Sequence, residues 1–302
     1  MDTNLVKSDS RHLCDELPPV GPLAFGLWRY THTDLEHAID LLEAAIDLGM
    51  NLVDNADVYG LDWGGSGFGA CEELLGQVFS TRPELRDRVV LATKGGIQPP
   101  TPYNSSSEYL RKACEDSLHR MNVEKIDLYL VHRPDMYSHP AEVAFVLDGL
   151  VEEGKVTALG VSNHSPSQIT ALQEHLRNPL VVVQPEFSAT HLDPLRDGIF
   201  DLCAEKDFVP LAWSPLAGGK LATGEGAPTE LIEVLDNLAN RESVDRAAIA
   251  VAFVLAHPTS PVALLGTQRV ERLHALAEAT RVSLTRSDVY EIIQASEGVP
   301  LP

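Results

Sequence analysis

The chain has 302 residues, of which 44% are hydrophobic and 22% charged. That balance excludes a disordered chain, a collagen and a disulfide scaffold, and the length suits two small domains or one α/β barrel of about 250 residues with decoration. Forty-four acids against 23 bases leave a net charge of −21; with no local basic patch, no nucleic-acid partner is expected.

Strand and helix patterns alternate along the chain. The stretch from Ala24 to Trp28 is a weak strand candidate. A helix is predicted over 33–48, where Leu35, Ala38, Ile39, Leu42, Ala45 and Ile46 make one apolar stripe. NLVDNA (51–56) is a strand, followed by a helix near 70–79. RVVLATK (88–94) precedes a helix over 107–121, and KIDLYLVH (125–132) one over 140–153. VTALGVSN (156–163) leads to 166–176, and PLVVVQPE (179–186) to 193–206. FVPLAWS (208–214) leads to 243–256, and PVALLG (261–266) to 269–279, with a last helix over 286–296. Ser165-Pro166 and Asp193-Pro194 look like helix starts, and Thr285 with Asp288 looks like a cap. The stretches 61–69, 97–106 and 216–228 are Gly-, Pro- or Ser-rich and read as loops.

Most strand candidates are continuous apolar runs, the pattern of a parallel sheet buried on both faces. Eight strands and eight helices in strict alternation predict one α/β domain, a (β/α)8 TIM barrel spanning 1–302. It carries an N-terminal arm (1–18) and a C-terminal helix with a short tail (284–302). An open doubly wound sheet is less favoured, because no G-x-G-x-x-G follows the first strand. GGSGFG (64–69) has the wrong spacing and reads as a flexible insertion.

Cys14, Cys71, Cys114 and Cys203 form no C-x-x-C pair, so reduced thiols of a cytoplasmic protein are expected. The start, MDTNLVKSDSRHLCDEL, has no apolar core of a secretory signal, and no run nears the ~18 apolar residues of a membrane span. No membrane partner is expected, and the composition selects no oligomeric state.

In a barrel, chemistry gathers where the strands end. Asp54 follows the second strand, with Tyr59 five residues on. Lys94 ends the third, His132 the fourth, Ser162 and Asn163 the fifth, Gln184 the sixth, and Trp213 and Ser214 the seventh. Each alone has a structural reading as a turn, cap or solvated residue. As a set, three neighbouring strands deliver Asp, Lys, His and Tyr to one mouth. Asp54, Asp57, His132, His164 and His191 could also ligate a metal, but neither His-x-His nor H-E-x-x-H occurs, so no metal is expected.

The chain resembles the aldo-keto reductases. The matching pieces are GLWR (26–29), DNADVYG (54–60), ATKGG (92–96), DLYLVHRPD (127–135), LGVSNHS (159–165), VQPEFS (183–188), WSPLAGGKL (213–221) and LLGTQRVERL (264–273). VHRPD and the late LLGT segment are more similar to bacterial sugar- and small-carbonyl-type members than to the steroid-reducing branch.

The resemblance implies an NAD(P)H-dependent oxidoreductase that reduces aldehydes or ketones to alcohols, with a small-molecule carbonyl as partner. It implies Tyr59 as general acid, supported by Lys94, His132 and Asp54. A phenol with an unperturbed pKa of about 10 needs help to give and retake a proton, and a nearby ammonium stabilises the phenolate. Asp54 would hold that ammonium, and His132 would hydrogen-bond the substrate oxygen or share the proton.

For the cofactor, the resemblance implies Ser162, Asn163 and Gln184 at the nicotinamide carboxamide and Trp213 stacked on its ring. Ser214, Leu216 and Gly218 fall on a loop over the pyrophosphate, Thr267 and Arg272 fall at the adenosine 2′-phosphate, and Gly26, Leu27 and Gln268 are further cofactor-binding candidates. Trp28, Trp63 and Arg133 are expected at the substrate pocket, although Arg133 could instead pair with Asp135. Gly266-Thr267 replaces a common Lys-Ser, and Ala275-Leu276 replaces a common Glu-Asn. These departures weaken a preference for NADPH; Arg272 and Arg269 favour it, with NADH as the other possibility. A second reading is a cofactor-binding partner module, as in the related potassium-channel β subunits.

Overall fold

Eight parallel strands close into a barrel in chain order. They are β1 (Leu23–Gly26), β2 (Leu52–Asp54), β3 (Val90–Gly95), β4 (Ile126–Val131), β5 (Val156–Ser162), β6 (Leu180–Gln184), β7 (Val209–Ala212) and β8 (Val262–Leu265). The computed structural model describes residues 3–301; residues 1, 2 and 302, the outermost ends of the expected arm and tail, lie outside the described residues. Every predicted strand is present, with ends moved by one or two residues.

Side chains alternate inward and outward along each strand. The inward set, such as Leu52, Val90, Ala92, Leu128, Leu130 and Val182, fills the barrel. The outward set, such as Val53, Leu91, Tyr129, Leu159 and Val183, meets the helices in a second core. Continuing the inward column upward by two residues gives Asp54 after Leu52, Lys94 after Ala92 and His132 after Leu130. The same step gives Ser162 after Gly160, Gln184 after Val182 and Trp213 after Leu211. Register keeps the columns level: Asp54 lies opposite Ala92, Lys94 opposite Leu130, and Ser162 opposite Gln184.

The outer layer comprises α1 (Leu35–Asp47), α2 (Ala70–Thr81), α3 (Ser107–Met121), α4 (Pro140–Glu152), α5 (Pro166–Gln173) and α6 (Ile199–Lys206). It continues with α7 (Lys220–Thr223), α8 (Thr229–Glu242), α9 (Arg246–Leu255), α10 (Val270–Ala277) and α11 (Arg286–Glu297). Capping boxes open α5, between Ser165 and Gln168, and α11, between Thr285 and Asp288.

Strict alternation fails between β7 and β8, which are joined by α7, α8 and α9. The sequence pattern predicts no helix over 229–242, where α8 forms. Its stripe, Leu231, Leu235, Leu238 and Ala239, is correctly spaced and buried, but the flank is Gly- and Pro-rich and no side chain caps its start. The expected loop 216–228 also contains α7 and a 3-10 turn, Ala217–Gly219. Asp193-Pro194 opens only a 3-10 turn, and the helix proper starts at Ile199 after the left-handed Gly198.

The four cysteines are free. Burial pushes the thiols of Cys71, Cys114 and Cys203 up to about 12. No helix among the described residues is long and apolar enough to cross a membrane.

Candidate active site at the C-terminal mouth of the barrel

Lys94 is fully buried. Its Nζ donates to Asp54 Oδ2 at 2.7 Å and to the Asn55 carbonyl at 2.7 Å. The other Asp54 oxygen accepts from Gln184 Nε2 at 2.9 Å, across the barrel. A buried charge pair of this kind persists only when its remaining polar atoms are also satisfied, and here β2, β3 and β6 supply the partners.

The segment after β2 keeps running along β3: Asn55 N donates to the Ala92 carbonyl and Asp57 N to the Lys94 carbonyl, both at 2.9 Å. That pairing carries the chain over the lysine and delivers Tyr59, whose ring centroid lies 5.0 Å from Lys94 Nζ. Gly60 then turns the chain at φ +113, where an added Cβ would sit 2.4 Å from the Gly67 carbonyl. Only glycine tolerates both conditions.

The Tyr59 ring meets His132 edge to face, with centroids 5.7 Å apart. Burial pushes the Tyr59 phenol above its ordinary value, and Lys94 opposes that rise. The phenol therefore holds its proton at neutral pH. Burial also acts on Lys94, but the attraction of Asp54 and Tyr59 outweighs it and keeps the ammonium charged. Burial, then Lys94, then Arg133 hold His132 well below the usual imidazole value. His132 is thus neutral, and its Nδ1 is a buried atom without a partner.

Beside this group lies a floor of amides and hydroxyls. Ser162 Oγ donates to the Gln184 carbonyl at 3.0 Å. Asn163 Nδ2 donates to Ser162 Oγ at 2.7 Å and to the His132 carbonyl at 3.2 Å. Trp213 Nε1 donates to Asn163 Oδ1 at 3.1 Å, which fixes the indole against the floor. Asn163 and Ser214 hold positive φ, +59 and +55, a backbone strain typical of sites. Ser214 Oγ accepts from Gly218 N at 3.0 Å and ties the 214–219 turn.

The remaining sequence candidates ring this centre. Leu27 is buried, and its N–H donates to the Asp54 carbonyl at 2.8 Å; Gly26 sits just before it at the end of β1. Leu216 packs partly against the core below the turn. Thr267 Oγ1 and Gln268 Oε1 are buried atoms without partners, and Arg272 is exposed two residues into α10. Arg269 leans toward Glu271 at 3.7 Å. Trp28 and Trp63 meet edge to face at 5.6 Å, both substantially exposed. Arg133 does not pair with Asp135. That carboxylate instead accepts from the N–H groups of Ser105 and Tyr137 and from Ser138 Oγ, while the Arg133 guanidinium lies 5.8 Å from the Trp213 ring.

Sequence reasoning missed Asn55, whose carbonyl is the second acceptor for Lys94, and Arg29. Both lie inside quoted motifs next to assigned residues, so proximity was the available signal. Among the described residues no group of three or more His, Cys, Asp or Glu is arranged to hold a metal ion.

A nicotinamide dinucleotide asks for amide partners, an aromatic face and a glycine-containing turn for its phosphates. The floor, Trp213 and the 214–219 turn are residues of those kinds, and the orphaned Thr267 and Gln268 atoms are unspent polar capacity along the same rim. The residues present fit such a group.

A closed (β/α)8 barrel with a buried lysine beneath a mouth tyrosine has the layout that the sequence resemblance implies. The sequence profile of the Aldo/keto reductase family matches residues 22–297, and the chain belongs to that family of carbonyl-acting oxidoreductases that use nicotinamide cofactors. It is 44% identical over 286 residues to the 6-dehydroglucose reductase of Novosphingobium aromaticivorans, covering 94% of each chain. It is 34% identical over 288 residues to the 6-dehydroglucose reductase of Agrobacterium fabrum, covering 91% of this chain and 94% of the other. A thermostable aldo-keto reductase crystallised with the inhibitor epalrestat superposes with a TM-score of 0.81 at 24% identity, over 95% of this chain and 99% of the other, a likeness of fold.

Proposed function

We propose that this protein reduces a small aldehyde or ketone to its alcohol with NADPH, Tyr59 acting as general acid. The observation that carries the reading is the Tyr59 ring, its centroid 5.0 Å from the Nζ of a fully buried Lys94 that is itself clamped by Asp54.

The chemistry that the dinucleotide supplies when bound is a hydride for the carbonyl carbon. Tyr59 gives its proton to the carbonyl oxygen. Lys94 stabilises the phenolate left behind, and solvent returns the proton. Asp54 holds Lys94 in place, and Gln184 and Asn55 hold the pair. His132, kept neutral, donates a hydrogen bond that orients the substrate oxygen; its low pKa argues against a role as imidazolium acid. Ser162, Asn163 and Gln184 would hold the carboxamide, and Trp213 the ring face. Ser214, Leu216 and Gly218 would flank the pyrophosphate, and Gly26 and Leu27, at the end of β1, would border the cofactor. Thr267, Gln268 and Arg272 would take the adenosine end, and the cation at Arg272 favours a 2′-phosphate.

Two relatives named 6-dehydroglucose reductases support a sugar carbonyl as substrate. The perpendicular Trp28 and Trp63 faces suit a sugar ring, and Arg133 suits its hydroxyls. A cytoplasmic location, where NADPH is abundant, completes the proposal.

The test follows NADPH, and separately NADH, by absorbance against a panel of aldehydes, ketones and sugar aldehydes, 6-dehydroglucose included. Consumption with a sugar aldehyde is the expected result. Tight cofactor binding without turnover of any carbonyl would replace this reading with the partner-module one.

A further inference from the structure

Arg29 follows Trp28 on the loop after β1. Its guanidinium carbon lies 4.0 Å from the Trp63 ring centroid and 5.9 Å from that of Trp28. Its Nη2 donates to the Gly218 carbonyl at 3.2 Å. Two residues on, Thr31 Oγ1 donates to the Trp63 carbonyl at 2.8 Å. The β1 loop therefore grips the 61–69 insertion at two points and the 214–219 turn at one.

Burial lowers the Arg29 pKa, and no neighbouring carboxylate offsets it. In a chain with 44 acids, an arginine bound to an indole face and a carbonyl instead of a carboxylate is placed as a joint between loops. Cation–π attraction gives that joint its hold on the insertion.

We propose that Arg29 is a positioning residue through which Trp63, on the substrate side of the mouth, holds the 214–219 turn closed over the cofactor. This rests on the reading of that turn as the pyrophosphate cover. If the turn must part from Arg29 to release cofactor, then loosening Arg29 from Trp63 speeds release, although Trp63 itself stands on the substrate wall. Cofactor retention and the substrate wall are then one mechanical unit.

The test follows NADPH fluorescence as bound NADPH is displaced by excess NADP+, in wild type and in Trp63→Leu, Trp63→Phe, Arg29→Gln and the Trp63→Leu/Arg29→Gln double variant. Trp63 is exposed, so these substitutions spare the core. Trp63→Leu keeps apolar bulk but removes the π face, and it should speed release about three- to tenfold. Arg29→Gln should do at least as much, and the double variant no more than Arg29→Gln alone. Trp63→Phe should restore most of the retention. Release unchanged in Trp63→Leu while substrate KM rises overturns the tie, as does an additive double variant. Wild-type protein that binds neither NADPH nor NADH overturns the cofactor reading and the tie together; binding with release indifferent to Trp63 overturns the tie alone.

Discussion

At the N-terminal ends of the strands, Leu13, Leu17 and Val20 plug the barrel with apolar side chains. The hairpin that carries them is pinned by the Arg11–Val20 bridge, and Arg11 donates to backbone carbonyls, including Ser260 at 2.6 Å. At the C-terminal ends the same interior column is topped by Asp54, Lys94, Ser162 and Gln184, all buried. Both sets of side chains are buried. The plug closes around a single cation, the Arg11 guanidinium, whose N–H groups are met by backbone carbonyls and whose pKa burial lowers. The mouth closes around an ammonium and a carboxylate, which are costly to bury and persist only in mutual contact. The plug is thus expected to matter for stability, and the mouth for turnover.

The sharpest separation should come from Tyr59→Phe. Turnover should fall by roughly 10²–10⁴, while NADPH affinity and melting temperature stay near wild type. Steady-state rates close to wild type would end the assignment of the general acid.

Lys94→Met should damage both properties. It strands Asp54 as a buried carboxylate, which costs roughly 3–5 kcal/mol in a urea titration, and it removes the support for Tyr59. Adding Asp54→Asn should recover most of the stability and none of the turnover. Recovery of turnover as well would mean that the pair serves only folding.

Leu17→Ala tests the other end. A cavity in the plug should cost about 2–4 kcal/mol, with kcat unchanged on the folded fraction. A large loss of kcat would show that the two ends are coupled.

A pH dependence is shared between the ends. Burial lowers His164, at the mouth, and His257, beside Phe200 near the plug, from the usual 6.5 to about 4. As pH falls through 6.5, the unfolded chain takes up protons that the folded chain refuses. Stability should therefore be full above 6.5, decline toward pH 4 and lose no more from these groups below it. His164→Gln and His257→Gln should each flatten that decline, as read from urea midpoints across the window.

Much of this organisation is legible in the sequence. The strands show as β-branched runs because both faces of each are buried, and the period of two then marks Asp54, Lys94 and His132 as the tops of inward columns. The caps of α5 and α11 are local chemistry within four residues, and they too are readable. Helix α8 was not read, since its fourteen residues are polar on average and follow a glycine-rich stretch without a capping side chain. Asp193-Pro194 misled for the opposite reason: Pro at a first helical position also suits a single 3-10 turn.

By itself, then, the sequence determined which residues end each strand and which way they face, because alternation and capping act between near neighbours. Only the tertiary structure decided which of them meet. Gln184 reaches Asp54 from 130 residues away, and Arg29 reaches Gly218 from 189. Asp135 turned from Arg133 to backbone N–H groups once the β3 and β4 loops came together. Closure of the barrel brings strand ends within hydrogen-bond reach irrespective of chain distance, and partner choice there follows from burial and geometry across the mouth.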